Sequence, residues 1–352
     1  MKLNSFLFFF IGVFCCHSFL CQTREITNKP THMKSNFSLA IHGGAGNILN
    51  RNLSPEKEEA YRNKMKEALK KGYDMLAKGD SAVNVVEAVI KILEDSPLFN
   101  AGKGAVFSHE GRNEMDAAIM NGKTLDAGAV ANVRTIKNPI SAASMIMRNS
   151  NFVLLSGEGA ERFAKNNNVE IVDTAYFFDQ NRWDEYLKVK DSNSTKLDHD
   201  SSTGMVNPTN TIDKFGTVGC VVLDTYGNLA SGTSTGGTVN KKYNRIGDSP
   251  LIGAGTYANN KTCAVSCTGH GEDFIKIVAA HTVSALMEYK RMKLSTAANE
   301  VIFKKLAEIK GRGGLIAIDR QGNISMPFNT SGMFRGFVEA NGNMKVFIYK
   351  EE

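Results

Sequence analysis

A threonine that opens a buried strand directly behind a disposable segment can hold most of what amide hydrolysis needs. Gly216-Thr217-Val218-Gly219 has that setting. Ahead of it, Thr217 to Asp224 is almost wholly apolar and reads as a buried strand. Behind it, Asp191 to Lys214 is rich in Ser, Asn, Asp and Thr and reads as a disordered linker over about 191–214. Breaking the Gly216–Thr217 bond would free the Thr217 α-amine beside its own hydroxyl, so one residue would carry nucleophile and base. An α-amine titrates near ~8 and can therefore take a proton at neutral pH. Taken alone, the same four residues also suit a β-branched residue opening an ordinary strand.

Further along lie groups that could serve such a nucleophile. Thr235 sits in Thr233-Ser-Thr-Gly-Gly237 and could return on the adjacent strand, bringing its hydroxyl to Thr217. Arg245 and Asp248, three apart in a glycine-containing loop, suit an amino-acid headgroup. A guanidinium grips a carboxylate through two parallel bonds, and the carboxylate of Asp248 would receive an ammonium. The bland alternative is a surface ion pair of little worth. Thr268-Gly269-His270-Gly271 runs into a helix at Glu272, and the N–H groups of a helix start favour anions. Gly269 and Gly271 would leave room for substrate backbone. His270 is not needed as a base, because the α-amine fills that role.

The elements that must position these groups alternate in kind. Ser38 to His42 is a short strand entering the glycine run Gly43-Gly-Ala-Gly46. Ser54-Pro55 caps a helix with Tyr61, Met65, Leu69 and Leu76 at helical spacing, and Asp80 or Ser81 caps a second carrying Val83, Val86, Ile90 and Leu93. Asn113–Met120 and Thr124–Val133 read as a hairpin turning at Asn121-Gly122. Helices follow from Pro139 to Met147 and from Gly157 to Lys165. Tyr176 to Phe178 and Trp183 suggest that the segment before the linker still docks. Strands flank the turns Asp224–Asn228 and Asp319–Asn323, with a strand over Thr262–Cys267 and helices over Glu272–Arg291 and Ser295–Ile309 between them. This order suits one α/β domain of two stacked sheets with helices on both outer faces.

Composition excludes several classes. The 352 residues are 42% hydrophobic and carry a net charge of only +6, enough for a large core and too little for a polyanion binder. Lys64, Lys66, Lys70 and Lys71 interleave with Glu58, Glu59 and Glu67, a solvated helix face rather than a nucleic-acid patch. Residues 1–22 differ from the rest: Lys2 precedes the apolar run Phe6–Phe14, which reads as a secretory signal peptide too short to span a membrane comfortably. Secretion or export to a periplasm is expected, with residues 23–37 a solvated lead. Lipoprotein processing at Cys21 is disfavoured by the residues before it. Cys220, Cys263 and Cys267 then remain, an odd number in apparent strands and better read as small buried hydrophobes than as a disulfide or metal set. Glycosylation triplets occur at Asn36, Asn52, Asn193, Asn260, Asn323 and Asn329.

Taken in order, Ile41-His-Gly-Gly-Ala-Gly46, Phe99-Asn-Ala-Gly-Lys-Gly104, Gly216-Thr-Val-Gly219, Thr233-Ser-Thr-Gly-Gly237, Asn244–Gly255 and Ser266–Glu272 resemble the plant-type asparaginase/isoaspartyl peptidase family of N-terminal nucleophile hydrolases. The likeness runs from about Ser38 to Phe347. It implies a four-layer αββα sandwich cut into an α subunit, residues 38–216, and a β subunit, residues 217–352. It also implies cleavage of β-aspartyl dipeptides and L-asparagine with no catalytic cofactor, in a dimer of αβ heterodimers. By the same resemblance Gly43 and Gly44 pack near the cut bond and Asn100 lies near the active centre. Thr235 orients Thr217, the Thr268 hydroxyl and Gly269 amide form an oxyanion hole, and Arg245 and Asp248 hold the substrate. A structural sodium ion is implied on the backbone carbonyls of Leu93, Glu94, Ser96, Phe99, Ala101 and Lys103. A glycosylasparaginase would place Asp where this chain has Gly216, and a protein-cleaving threonine protease has no use for the Arg245/Asp248 pair. A secreted binding protein that kept the pocket without its chemistry is the alternative from another class.

Overall fold

Helical spacing of apolar residues decides where the first layer lies. Helix α1 (Pro55–Ala77) buries Tyr61, Met65, Leu69 and Leu76, and α2 (Ala82–Glu94) buries Val86, Ile90 and Leu93. Each begins where a serine hydroxyl accepts a helix N–H, Ser54 from Lys57 and Ser81 from Asn84. The structure, a computed structural model, describes residues 36–49, 53–191 and 216–352. The expected signal peptide, and nearly all of the expected lead and linker, lie outside the described residues.

With α3 (Pro139–Asn149), these helices cover one face of a large sheet. The strands, in chain order, are β1 (Ser38–Gly46), β2 (Met115–Asn121), β3 (Ala127–Val133), β4 (Leu154–Ser156), β5 (Val218–Leu223) and β6 (Leu229–Thr235), then β7 (Thr256–Ala258), β8 (Cys263–Gly269), β9 (Gly313–Asp319), β10 (Ile324–Ser325), β11 (Gly332–Glu339) and β12 (Met344–Tyr349). Among the described residues the large sheet has the order β12-β11-β1-β5-β6-β2-β3-β4, and a second has the order β10-β9-β8-β7. Shorter helices are α4 (Gly157–Asn166), α5 (Gln180–Leu187) and α6 (Gly271–Lys276); α7 (Ala279–Lys290) and α8 (Leu294–Glu300) back the second sheet.

Three apolar layers hold this stack. One lies between α1–α3 and the large sheet, a second between the sheets (Ala40, Val221, Leu223, Ala264, Ile316, Ile318), and a third under α7 and α8 (Val265, Phe274, Val283, Val301). The result is the expected αββα sandwich. Each fully buried Val, Leu, Ile or Phe contributes about 1.5–3 kcal/mol relative to exposure, so the middle layers fix β5 firmly. Strands from before and after Thr217 interleave: β1 lies between β11 and β5, and β2 pairs with β6. Cys220, Cys263 and Cys267 are buried free thiols. Among the described residues no helix is long and apolar enough to cross a membrane.

Several local expectations change. The β2–β3 connection is longer than a two-residue turn: Leu125 N–H bonds the Asn121 carbonyl, and Leu125 has φ 64°. Gly122 spends its own N–H on the Leu229 carbonyl and its carbonyl on Asn260, tying the turn to neighbouring segments instead of closing it. The single helix expected over Glu272–Arg291 is two, because Val278 takes φ 47° between α6 and α7. Tertiary bonds explain the break, since Ala280 and His281 N–H donate to the Ala254 and Gly253 carbonyls. Trp183 does dock, packing edge-on against Phe107 at 5.0 Å. At three glycosylation triplets the side-chain amide is already engaged: Asn260 with Asn228, Asn323 with Asp319 and Asn329 with the Gly311 carbonyl.

Candidate active site

Because β5 and β6 are joined by a tight turn in register Val218↔Ser234, Thr217 and Thr235 come together at the same end of the hairpin. The Thr217 hydroxyl donates to Thr235 Oγ1 at 3.0 Å, and Thr235 also accepts the Gly237 N–H at 3.1 Å. Both threonines line a cleft together with Gly216, Thr268 and Gly269. Arg245, Asp248 and Gly271 line it as well. Residues from two sheets, the β6–β7 connection and the start of α6 therefore face one space.

Asp248 is buried, and its Oδ2 has no hydrogen-bond partner among the described residues. Burial pushes its carboxyl up to about 7 while Arg245 pulls the other way. That is an unfinished acceptor, suited to an incoming ammonium. Arg245 is not idle. Its Nε and Nη2 donate to the two Glu272 oxygens at 2.8 and 2.7 Å. Glu272 is pushed up by burial, but its bonds to Arg245 outweigh this and hold it at about 2. An arriving carboxylate must share the guanidinium with Glu272, a partner that sequence spacing did not reveal.

Gly271 makes room for the protein itself. A β-carbon there would lie 2.8 Å from Arg245 Nη2 and 2.9 Å from the Asp248 N, so the glycine lets the binding loop approach. At Gly269 a β-carbon would meet the Phe274 ring at 2.6 Å. The space at both glycines is thus filled by protein, not by the substrate backbone expected from sequence. His270 pairs with Asp273 and Glu272 at 3.1 and 3.3 Å and does not line the cleft.

On the other side of the Gly216–Thr217 bond stands the glycine run. The strand β1 bulges between His42 and Gly44 where it pairs with β11. Gly44 has φ +114°, and a β-carbon on it would lie 2.5 Å from Gly216 N and 3.0 Å from the Gly216 carbonyl carbon. Gly43 packs against the Phe99 ring. Asn100 stands one step back from the cleft: Nδ2 donates to the Gly237 carbonyl at 2.7 Å and Oδ1 accepts the Val106 N–H at 3.0 Å. It holds the turn after Thr235.

Leu93 to Lys103 coils so that β-carbons at Gly102 and Gly104 would collide with the Glu94 and Phe99 carbonyl oxygens. Carbonyl oxygens suit a monovalent cation, and those of Leu93, Phe99 and Ala101 accept the Ser96, Ala101 and Gly104 N–H groups. The bond to the Phe99 carbonyl, at 2.9 Å, leaves that oxygen its second lone pair. The Glu94 side chain turns away, accepting from Ser234 Oγ at 2.7 Å and Ile140 N–H at 3.0 Å.

Two stacked sheets between helices, with a threonine at the head of a central strand facing a cleft, define the fold class of the N-terminal nucleophile hydrolases. The family model described as asparaginase matches residues 35–348. The chain belongs to that family. It is 45% identical to an isoaspartyl peptidase of Escherichia coli, covering 89% of this chain and 96% of that one. It is likewise 45% identical to an isoaspartyl peptidase of Salmonella typhimurium over 89% of this chain and 98% of the other. It is 38% identical to an isoaspartyl peptidase/L-asparaginase of Xenopus laevis, covering 84% and 90%.

Proposed function

We propose that the chain is a self-processing threonine hydrolase that cleaves β-aspartyl dipeptides and L-asparagine, releasing L-aspartate. The observation carrying this reading is the Thr217–Thr235 hydroxyl pair at 3.0 Å in one cleft with Arg245 and with Asp248, whose Oδ2 has no hydrogen-bond partner among the described residues. Opposite charges on neighbouring loop residues fit a zwitterionic headgroup, and the names of the relatives supply the same substrates.

Processing uses the same groups as turnover. Thr217 Oγ attacks the Gly216 carbonyl carbon, the peptide C–N bond breaks, and the amine keeps the hydroxyl proton. Water then hydrolyses the ester, leaving a carboxyl on Gly216 and a free Thr217 amine. In turnover that amine takes the Oγ proton as the oxygen attacks the substrate's side-chain carbonyl carbon. Thr268 and the Gly269 amide stabilise the oxyanion, and the amine returns the proton to the departing ammonia or amino acid. Water frees L-aspartate from the acyl-threonine. Interleaved strands would keep the two pieces together after the cut, since β1 remains paired with β5 and β11, and β2 with β6. A sodium ion on the carbonyls of Leu93, Glu94, Ser96, Phe99, Ala101 and Lys103 would stiffen the loop that carries Asn100. Assembly as a dimer of αβ heterodimers and export by way of residues 1–22 complete the proposal.

Gly44→Ala is expected to slow processing by at least about tenfold, because its β-carbon meets Gly216 and its φ disfavours a side chain. The fraction of cut chain over time on a denaturing gel reads this; processing at the wild-type rate contradicts it. The Asp248 carboxyl gives a pH dependence of definite sign. Its folded value, about 7, lies above the usual carboxylate value, so its share of stability is present below ~4 and is lost as pH rises through 7. Substrate binding needs the ionised form and follows the opposite trend. With the amine also required unprotonated, kcat/KM for L-asparagine should fall at least about tenfold per pH unit below 6.5. L-aspartate should raise the melting temperature more at pH 8 than at pH 5.5. A flat kcat/KM from pH 5 to 8 contradicts this assignment. The reading as a whole is tested by assaying purified protein against β-Asp-Leu and L-asparagine with aspartate release as the readout; absence of both activities in cut protein removes it.

A further inference from the structure

His42 is a buried titratable side chain that the mechanism above does not use. It lies on β1 opposite Gly219, in the β1–β5 pairing of the large sheet. Its Nδ1 is 3.0 Å from the Thr217 carbonyl oxygen and its Nε2 is 2.9 Å from Ser266 Oγ. A carbonyl only accepts, so Nδ1 carries the proton. Complete burial pushes the imidazole down to about 3 against the pull of the Thr217 carbonyl, so the ring is neutral and Nε2 must accept. Ser266 therefore donates to His42.

That assignment propagates. Ser266 Oγ and Thr233 Oγ1 are 2.7 Å apart, and with the Ser266 proton spent, Thr233 is the donor there, the longer 3.2 Å contact to the Gly255 carbonyl sharing that proton. Thr256 Oγ1 lies 2.6 Å from Thr233 Oγ1 and donates in turn. The same Thr256 hydroxyl also reaches the Ser249 carbonyl at 3.1 Å, so its one proton is shared between two acceptors. One directed chain thus runs from Thr256 on β7 to Thr233, Ser266 and His42, and ends on the Thr217 carbonyl. Gly219 is shaped for it: a β-carbon there would collide with both Ser266 Oγ and His42 Nε2. The second glycine of Gly216-Thr-Val-Gly219 makes space for this ring.

We propose that His42 is a positioning residue for the Thr217 nucleophile, clamping its carbonyl through an imidazole whose orientation is set by the hydroxyls of Ser266, Thr233 and Thr256. The Thr217 carbonyl lies on the far side of the residue from the cut, so the clamp persists in mature protein. It fixes the main chain from which both the free amine and Oγ project. A small rotation there misdirects both at once, and misplacement of about 1 Å can cost ~10²-fold in rate. The proposal rests on the reading of Thr217 as nucleophile.

The test compares His42→Leu, His42→Asn and Ser266→Ala with wild type, with kcat expressed per cut molecule, KM, and melting temperature measured for each. His42→Leu is expected to lower kcat about 10- to 100-fold with KM within threefold. His42→Asn, whose amide N–H can replace Nδ1–H, should recover most of that loss. Ser266→Ala, a change of one hydroxyl, should lower kcat about 3- to 10-fold and keeps the test open should His42→Leu fail to fold or to cut. Wild-type kcat in Ser266→Ala, equal losses in the leucine and asparagine variants, or a raised KM with kcat intact overturns the clamp. A wild-type protein that turns over without any chain beginning at Thr217 overturns the nucleophile reading instead, a result the gel separates from the others.

Discussion

Thr217→Ala is expected to remain a single chain and to lose hydrolysis by at least about 10⁴-fold, because removing a nucleophile that also supplies the base takes two functions together. The substitution deletes the hydroxyl that donates to Thr235 and one methyl from a half-buried position. Loss of one such hydrogen bond costs only about 1 kcal/mol of stability. A melting temperature within a few degrees of wild type should therefore accompany the loss of activity, and an unfolded variant would be recognised at once. Thr217→Ser keeps the attacking oxygen and should still cut and still turn over, more slowly. Aspartate release by the alanine variant near the wild-type rate would contradict the assignment.

The second large effect belongs to Thr268→Val. Thr268 is 1% exposed at the end of β8 and lines the cleft beside Thr217. Valine keeps its shape and its preference for strands, so the second sheet should be unaffected while the hydroxyl disappears. Removing one oxyanion donor typically lowers kcat by about 10²- to 10³-fold. Substrate is held mainly by Arg245 and Asp248, so KM should change little. Processing passes through an oxyanion at Gly216 in the same cleft and should slow in parallel. Steady-state kinetics normalised to cut protein separate the two effects. A large rise in KM with kcat preserved would place Thr268 in substrate binding rather than in transition-state stabilisation.

Sequence carried the layered fold and most of the cleft, for physical reasons that can be named. Val86, Ile90 and Leu93 recur at the helix period and are buried on one face of α2. Thr217, Arg245 and Asp248 were legible because each has a side chain whose chemistry is specific to a task. What stayed hidden depends on partners distant in sequence or on main-chain groups. Glu272 grips Arg245 from 27 residues away. His42 serves a carbonyl and a serine hydroxyl, and neither leaves a pattern in the sequence. Val278 takes its left-handed conformation because Gly253 and Ala254 supply carbonyls to the start of α7, a tertiary override of helical spacing. Gly269 and Gly271 stood out as glycines, but only the structure shows that Phe274 and the Arg245–Asp248 loop occupy the space. Asn100, expected near the active centre, braces the turn after Thr235 through the Gly237 carbonyl, a main-chain partner that sequence does not show.

The central claim is that a peptide bond is given up to make the catalyst. Intact-mass measurement with N-terminal sequencing on freshly active protein tests it most directly. The account predicts a chain running from Thr217 to Glu352, with activity rising in proportion to its amount. Full activity in material whose only polypeptide is continuous across Gly216 and Thr217 contradicts it.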